Sequence, residues 1–333
     1  MSKGYILQRI LYTLFIFVIV MTLNFFIPRI GVDDPAERYY PPQGSMSDQE
    51  YDIIKQLTRK QYGYDVSTGE QYVRYVTNLL HGDLGTSVQA GSPKVIDLIK
   101  ERLPWTLVLS VSTLLIGVVC GILIGALAAW HRGGRLDRLV LNASTITTAL
   151  PAFFLALLFS LYMGFEWGWF PAYTEANMVS SFDWSGHAIA QVARNAALPV
   201  IAMSIGSIVS YAQSTRNSVI AVAGEDFINT AKAKGMGSRT ILYKHVLRNA
   251  MLPIVTNLGM SISGLIGGAV VIEQIFNWNG MGTLFLTANN TNDYNLMMGI
   301  MLFLSAFALL ANLVTDLCYA LLDPRVTVGG KRA

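Results

Sequence analysis

The sequence predicts an all-α membrane protein, a polytopic bundle of six transmembrane helices. Hydrophobic residues make up 53% of the 333 residues and charged residues only 14%, about half the charged share that is usual in soluble domains. Six uncharged stretches are each long enough to cross a hydrocarbon layer about 30 Å thick as a helix. They are residues 10–28, 103–130, 139–165, 195–215, 249–272 and 294–315.

The first stretch is predicted to stay in the protein as a helix. Lys3 and Arg9 precede it, as basic residues precede a signal peptide core, but the apolar run is longer than such a core. Residues 25–29, which end the run, offer no small-residue cleavage site.

The distribution of basic residues predicts the orientation. With the N-terminus in the cytoplasm, the short inner segments hold 14 Lys and Arg residues, whereas the two short outer loops hold only Arg194. Because short cytoplasmic loops are enriched in Lys and Arg, both termini are expected in the cytoplasm of a multi-pass inner-membrane protein. The basic residues form no aromatic-interleaved patch, so we expect no nucleic-acid partner.

Residues 29–102 are too polar to enter the bilayer and are predicted to form an external scaffold segment. Ser47 and Glu50 have the spacing of a capping box at a helix start. A later apolar stripe at helical spacing is stopped by Gly82. A further short helix is predicted over 93–99, because proline suits the first helical position.

The second span carries glycines at every fourth position, Gly117, Gly121 and Gly125. This spacing places three residues without side chains on one helix face. Such a face lets a neighbouring helix approach closely, so we assign it a packing role rather than a substrate role.

The cytoplasmic loop 217–248 is the most informative segment. Its first part mixes apolar and charged residues and is broken at Gly235, after which Ser238 is placed to cap a second helix. The pattern predicts two short helices around a glycine turn. From charge alone, an ordinary basic loop that only fixes the topology would be favoured.

The exact residues of this loop are more specific than its charge. Residues 229–235 are Asn-Thr-Ala-Lys-Ala-Lys-Gly, and residues 244–253 are Lys-His-Val-Leu-Arg-Asn-Ala-Met-Leu-Pro. They resemble the loop by which importer-type ABC permeases bind their ATPase subunits. The loop differs from the wider consensus at two places. Asn229-Thr230 stands where many permeases have Glu-Ala, and His-Val-Leu-Arg at 245–248 stands where they have Ile-x-Leu-Pro. At both places the sequence resembles the branch of the family that imports dipeptides, oligopeptides and nickel.

The resemblance covers nearly the whole chain. The other matching segments are Asp34-Pro35, Gly82-Asp83-Leu84-Gly85, Arg102-Leu103-Pro104 with Thr106, Pro151 with Phe153, Arg216, Glu273 with Ile275-Phe276, Gly280-Met281-Gly282, Asp293-Tyr294, Asp316 and Asp323-Pro324-Arg325. It implies a type I ABC importer permease fold with an external segment after the first helix, typical of the first (B-type) permease. The implied divisions are an N-terminal helix 1–28, the scaffold 29–102, a permease core 103–320 and a cytoplasmic tail 321–333.

The resemblance also implies the partners. They are a second, homologous permease in a heterodimer, two cytoplasmic ABC ATPases, and an extracellular or periplasmic solute-binding protein, assembled around the lipid bilayer. The sequence has no glycine-rich phosphate loop ending in Lys-Ser or Lys-Thr. We therefore expect a transport subunit without catalytic residues, metal or cofactor of its own, with ATP and Mg²⁺ bound by the ATPases.

The ATPase-coupling site is predicted at the glycine turn of the loop. Its residues are Asn229, Thr230, Ala231, Lys232, Ala233, Lys234, Gly235, Met236, Gly237 and Ser238. We expect this segment to dock in a cleft of one ATPase and to move as a rigid lever when ATP closes the ATPase dimer.

Polar residues within the spans are candidates for the substrate path between the two permeases. They are Asn142, Ser204, Asn257, Ser261 and Asn312. Each is as well explained by a hydrogen bond to a neighbouring helix. Glu273, at the outer end of the fifth span, is a candidate outer gate, with structural pairing as its alternative.

The substrate is expected to be a di- or oligopeptide, with oligosaccharides and nickel complexes as alternatives within the same family. An ion-coupled secondary transporter would normally need acids or broken helices near the membrane midplane, whereas Glu273 and Asp316 lie at span ends. An intramembrane hydrolase would need a nucleophile with a base in reach, and all histidines lie outside the predicted spans.

Overall fold

The computed structural model describes residues 3–30, 36–42, 44, 46–61, 63–89, 91–174, 185–265, 267 and 269–322. The all-α prediction is confirmed: within these residues there is no strand, and one isolated bridge joins Thr86 and Lys94. Asp34-Pro35, Asp323-Pro324-Arg325 and all but the first two residues of the predicted tail lie outside the described residues.

The described part of the chain contains thirteen α-helices, two of them extended by a π-helical turn. They are α1 Lys3–Phe26, α2 Asp48–Gln61, α3 Thr68–Leu80, α4 Val95–Trp130, α5 Arg135–Ala149, α6 Ala152–Phe159 with the π turn Ser160–Glu166, α7 Gly186–Ala223, α8 Asp226–Ala233, α9 Ser238–Thr240 with the π turn Ile241–Val246, α10 Leu247–Ser263, α11 Val270–Ile275, α12 Met281–Asn290 and α13 Tyr294–Leu322. Short 3₁₀ turns cover Ile27–Arg29 and Glu37–Tyr39.

Four helices within the described residues are long and apolar enough to cross a membrane: α1, α4, α7 and α13. The third predicted span is instead a bent pair, in which α5 and α6 with its π turn meet at 95°. Pro151 explains the bend, because the residue before a proline is forced out of the helical region. Leu150 is extended, with φ −101° and ψ 115°.

The fifth predicted span, 249–272, is also not one helix. It is divided between α10 and the short α11, and the intervening sequence 264–268 contains three glycines, which disfavour helix. The count of six membrane-spanning helices is therefore not confirmed: the described residues give four, or five if the bent pair is one span.

The short helix predicted over 93–99 is wrong as a separate element. The helix begins at Val95 but continues for 36 residues into the second span, with Pro104 inside it. An internal proline removes one helical hydrogen bond, and packing compensates here. The neighbouring Trp105 and Leu109 are buried in one apolar cluster with Trp278.

Contacts divide the chain into two compact units. The first consists of Met1–Thr13, Arg102–Leu284 and Phe307–Ala333, and the second consists of Leu14–Glu101 and Phe285–Ala306.

In the second unit the capping box is confirmed. The Glu50 N–H donates to Ser47 Oγ at 3.4 Å, and the Ser47 N–H donates to Glu50 Oε2 at 3.1 Å. Hydrogen bonds from Ser47 lower the pKa of the Glu50 carboxyl. Helix α3 ends just before Gly82, whose φ is +76°.

In the first unit the glycine face of α4 packs against α7, as predicted. A Cβ atom added at Gly117, Gly121 or Gly125 would overlap Ser207, Tyr211 or Ala212, respectively. The two helices therefore approach each other as closely as their backbones allow.

Candidate coupling site

The structure confirms the first short helix of the cytoplasmic loop, α8, and the glycine turn after it. The second helix is not short, because α9, its π turn and α10 follow one another without a break from Ser238 to Ser263. Helix α8 and the α9 segment with its π turn fold against each other, and we call residues 226–246 the knob. Its apolar side chains share one buried cluster with the ends of α4 and α7: Ile228, Ala231, Ile241, Leu242 and Val246 with Ala129 and Val219. The knob thus has its own core and is packed on two long helices.

Gly235 shapes the turn between the two halves of the knob. Its φ is +73°, in the left-handed region that favours glycine. The Gly235 N–H donates to the Lys232 carbonyl at 2.9 Å, and the Met236 N–H donates to the Ala231 carbonyl at 3.3 Å. These two bonds make a Schellman motif, which satisfies carbonyl groups left over at the end of α8. Met236 packs against the cluster that contains Ala231, as the motif requires.

Most of the predicted coupling residues lie on the surface of the knob. Ala231 is buried and Met236 is half-buried, so these two residues support the turn from inside. The exposed residues are Asn229, Thr230, Lys232, Ala233, Lys234, Gly235, Gly237 and Ser238. They form a contiguous segment that a partner protein can contact.

Two exposed aromatic residues of the knob were missed in the sequence. Phe227 on α8 is 45% exposed, and Tyr243 in the π turn is 49% exposed. Large aromatic side chains are enriched among the residues that dominate the affinity of protein interfaces. Their presence in a polar, basic loop is the signal that could have identified them.

The knob is also tied to α4 by a polar contact. The indole Nε1 of Trp130, the last residue of α4, donates to Ser238 Oγ at 3.0 Å. Ser238 was predicted to cap the second helix, and its hydroxyl instead accepts this bond from another helix.

An ion pair fixes α7 upstream of the knob. The Arg216 guanidinium binds both carboxylate oxygens of Asp137 at the start of α5, and the Gly133 N–H donates to Asp137 Oδ2 at 2.8 Å. The two side chains are only 12% and 4% exposed. A two-point arginine–carboxylate pair restricts orientation as well as distance, so it holds α5 and α7 in a defined register.

The candidate path residues are distributed over four helices. Ser204 on α7 is buried, with no hydrogen-bond partner for its hydroxyl in the described part of the chain, and Asn142 on α5 is exposed. Asn257 Nδ2 donates to Ser214 Oγ at 2.8 Å. Ser261 on α10 shares a hydrogen bond of 2.8 Å with the Tyr211 hydroxyl.

The remaining path candidate also contacts a second helix. Ser263 Oγ donates to Asn312 Oδ1 at 2.7 Å, joining α10 to α13. Helix packing therefore accounts for the side-chain bonds of Asn257, Ser261 and Asn312. A role in a substrate path stays a prediction for all five residues.

A cavity of about 460 Å³ is lined by residues that are close to Asn142 in the sequence, but not by Asn142 itself. The lining residues are Leu141, Ser144, Thr145, Thr148, Ala149 and Gln213. The Ser144 hydroxyl donates to Gln213 Oε1, which links α5 to α7. One feature of the sequence could have indicated this cavity: α5 has a high share of Ser and Thr residues, which is unusual for a membrane helix.

Glu273 is fully buried and bonded at both oxygens. Oε1 accepts from Thr106 Oγ1 at 2.6 Å, and Oε2 accepts from the Gly282 and Thr283 N–H groups at 2.8 and 3.1 Å. The Met281 N–H donates to Thr106 Oγ1 at 2.7 Å. The carboxylate therefore caps the first turn of α12, where a negative charge is stabilising. These bonds provide the structural pairing that was the alternative to a gate.

Comparison with known proteins gives consistent matches. A family model described as the inner membrane component of binding-protein-dependent transport systems matches residues 121–328. The oligopeptide transport system permease protein AppB of Bacillus subtilis is 32% identical over 329 residues, covering 97% of this chain and 99% of AppB. OppB, the oligopeptide transport system permease protein of Haemophilus influenzae, is 32% identical, with 97% and 98% covered. The glutathione transport system permease protein GsiC of Salmonella typhimurium is 31% identical, also with 97% and 98% covered.

Proposed function

The chain belongs to the family of binding-protein-dependent transport system inner membrane components, and we propose that it is the first-permease subunit of an ATP-driven importer of di- or oligopeptides. The observation that carries the proposal is the knob: the short helix α8, a closed glycine turn and the first turns of the helix that continues into α10, packed around one buried cluster within the family match. A loop that only fixed topology would need neither a buried core nor a closed glycine turn.

The chain works with four kinds of partner. A second homologous permease completes a heterodimer, two cytoplasmic ABC ATPases bind ATP and Mg²⁺, a solute-binding protein delivers the substrate from outside, and the lipid bilayer surrounds the helices. Both termini and the knob face the cytoplasm, because short loops rich in Lys and Arg remain inside. The chain itself carries no catalytic residue, cofactor or metal.

The knob docks in a cleft of one ATPase. Phe227 and Tyr243 are its apolar anchors, and Lys232 and Lys234 steer it toward acidic groups at the cleft rim. Because its core is continuous with α4 and α7, a displacement of the knob moves both helices. Nucleotide binding thereby shifts the equilibrium between inward-open and outward-open states, as alternating access requires.

The substrate path lies between the two permeases and uses polar positions of this chain. Asn142, Ser204, Asn257, Ser261 and Asn312 stay candidates for it. The cavity lined by Ser144, Thr148 and Gln213 offers further polar groups, and these are separate from the five candidates. Glu273 lies at the outer end of the path, where its bond to Thr106 holds the first turn of α12 on α4. As an outer gate, it would have to break this bond for the end to open.

Peptides are the favoured substrates because relatives over nearly the whole chain are named for oligopeptide and glutathione transport. Oligosaccharides and nickel complexes are the alternatives within the same machinery, and an ion-coupled secondary transporter is the alternative outside it.

Affinity purification of the tagged full-length chain from its own cells tests the assembly. We expect a second permease and ABC ATPases to co-purify, and the ATPases to be lost when Phe227 and Tyr243 are both replaced by serine. As a matched control, Tyr173→Ser removes an exposed aromatic far from the knob in sequence and should leave the complex intact. The proposal would be contradicted if the chain purified without ATPase subunits and still accumulated solute with an ion gradient as the energy source.

A further inference from the structure

A mixed polar and apolar cavity of about 310 Å³ lies within the second unit, apart from the knob and the path candidates. The 3₁₀ turn after α1, helix α3 and helix α13 all contribute to its wall. Phe25 and Met298 are buried and give it an apolar floor. Arg29, Arg74 and Asn78 give it hydrogen-bond donors, and Asp83 is the acidic residue of the lining.

Arg29 is a half-buried cation of this cavity. Its Nη1 donates to the Phe25 carbonyl at 2.7 Å, and its guanidinium lies 3.8 Å from the centroid of the Phe25 ring. Its Nε is buried and has no hydrogen-bond partner, and no carboxylate of the described residues forms an ion pair with it. Withdrawing a charge from water is unfavourable unless an opposite charge compensates it, so an anion bound in this cavity would be stabilised by Arg29.

The other polar groups of the lining favour an anion as well. Arg74 and Asn78 lie one turn apart on α3, on the same face. Arg74 is paired with Glu70 at 2.7 Å, but both side chains are about half exposed, and such pairs are weak and easily exchanged. The Asp83 carboxylate accepts the Gly85 N–H at 2.9 Å. With two arginines and one aspartate, the lining carries net positive charge.

The depth of the cavity identifies the class of anion. Arg29 is the last residue of the first membrane span, Ile6–Arg29, so the cavity lies where a span meets the headgroup region. Phe26 and Tyr72 stack beside it at 5.6 Å, as aromatic residues do at membrane interfaces. Phosphates are the abundant anions at this depth, and the guanidinium fork matches their geometry.

We propose that this cavity binds the headgroup phosphate of an anionic phospholipid, with Arg29 as its main ligand and Arg74 and Asn78 at the rim. The apolar floor accommodates the glycerol end of the headgroup. A bound lipid places a negative charge against the half-buried guanidinium of Arg29, and it joins α1, α3 and α13 through one ligand.

Lipid retention by the full-length chain with its co-purifying subunits tests this site. The complex is reconstituted in nanodiscs of phosphatidylcholine with a minor share of phosphatidylglycerol, extracted in detergent, and analysed by native mass spectrometry. The wild-type complex should retain a larger fraction of phosphatidylglycerol than the nanodisc membrane contains. Arg29→Gln should lower that enrichment about tenfold, a change of about 1.4 kcal/mol. Lys60→Gln, which removes an exposed charge of the same segment outside the cavity, should retain it like wild type.

Asn78→Asp keeps the test decisive if Arg29→Gln fails to fold. Asn78 is exposed, so the fold should tolerate the change, while the added negative charge at the rim should reduce retention severalfold. Equal retention by wild type and whichever variants fold would overturn the proposal. Complete displacement of the lipid by inorganic phosphate would also overturn it, because the cavity would then bind the free anion and not a headgroup.

Discussion

Trp130 and Ser238 are joined by a hydrogen bond of 3.0 Å from the indole nitrogen to the hydroxyl oxygen. They lie 108 residues apart in the chain, at the end of α4 and at the start of the second half of the knob. Behind them, Ala129 and Val219 are buried in the same apolar cluster as the knob core. The knob is therefore an extension of two membrane-spanning helices, and this is the arrangement that a rigid lever needs.

Removing the indole donor should weaken coupling while leaving the fold intact. Trp130→Phe keeps most of the apolar area and loses one neutral hydrogen bond, worth about 1 kcal/mol. We expect substrate uptake per ATP hydrolysed to fall by a few fold in proteoliposomes. Ser238→Ala should have the same effect, and the double variant should be no worse than either single one, as for groups that act through one contact. Trp169→Phe, at an exposed position outside the knob, should match wild type, and additive losses in the double variant would refute the link.

The turn at Gly235 should not tolerate a bulky residue. A β-branched side chain at φ +73° is strained by about 1–2 kcal/mol, and relaxation of that strain would distort the end of α8. Gly235→Val should retain ATP hydrolysis by the assembled complex but lose most of its uptake. Gly69→Val is the matched control, since Gly69 lies on α3 outside the knob, has no left-handed φ and has open space where a Cβ would lie. Normal transport by Gly235→Val would exclude the turn from the lever.

The exposed aromatics of the knob should contribute to ATPase affinity and little to stability. Phe227→Ala or Tyr243→Ala should weaken binding of the ATPase by about 2 kcal/mol, or about thirtyfold, if they are interface anchors. Titration of purified ATPase into nanodisc-embedded permease measures this, and the melting temperature of the permease alone should not change. If affinity is unaffected, the ATPase contacts another part of the surface.

The Asp137–Arg216 pair should be a major determinant of stability. Asp137→Asn removes a two-point, charge-assisted contact of the Arg216 guanidinium, which costs about 1.5–3 kcal/mol. We expect a clear drop in the thermal unfolding temperature of the detergent-solubilised protein. Glu70→Gln removes the acid from the exposed Arg74 pair and should change stability by less than about 1 kcal/mol. Similar small effects of both substitutions would show that α5 and α7 do not depend on the pair.

Local sequence signals predicted the elements that are defined by nearby residues. The Ser47 and Glu50 capping box, the stop at Gly82 and the glycine turn of the knob all depend on groups within a few residues, so spacing alone was sufficient. The division of the fifth span followed from its glycines, and two further errors arose where proline acted in opposite ways. Pro151 bends the third span by 95°, whereas Pro104 lies inside a continuous helix because tertiary packing around Trp105 compensates.

The site was predictable in part for the same reason. The coupling segment is contiguous in sequence, so its residues were found together, but the exposure of Phe227 and Tyr243 depends on which face of each helix packs inward. Path residues are harder to identify, because a polar side chain in a span has the same sequence signature whether it bonds another helix or a substrate. Asn257 and Ser261 show this, since both bond to α7.

The most direct test of the coupling mechanism is peptide uptake into proteoliposomes that contain this chain, its permease partner, the ATPases and the solute-binding protein. We predict uptake that requires ATP and all of these components, and that is lost in Gly235→Val while ATP hydrolysis continues. Accumulation of solute by this chain alone, without nucleotide or any partner, would contradict the account.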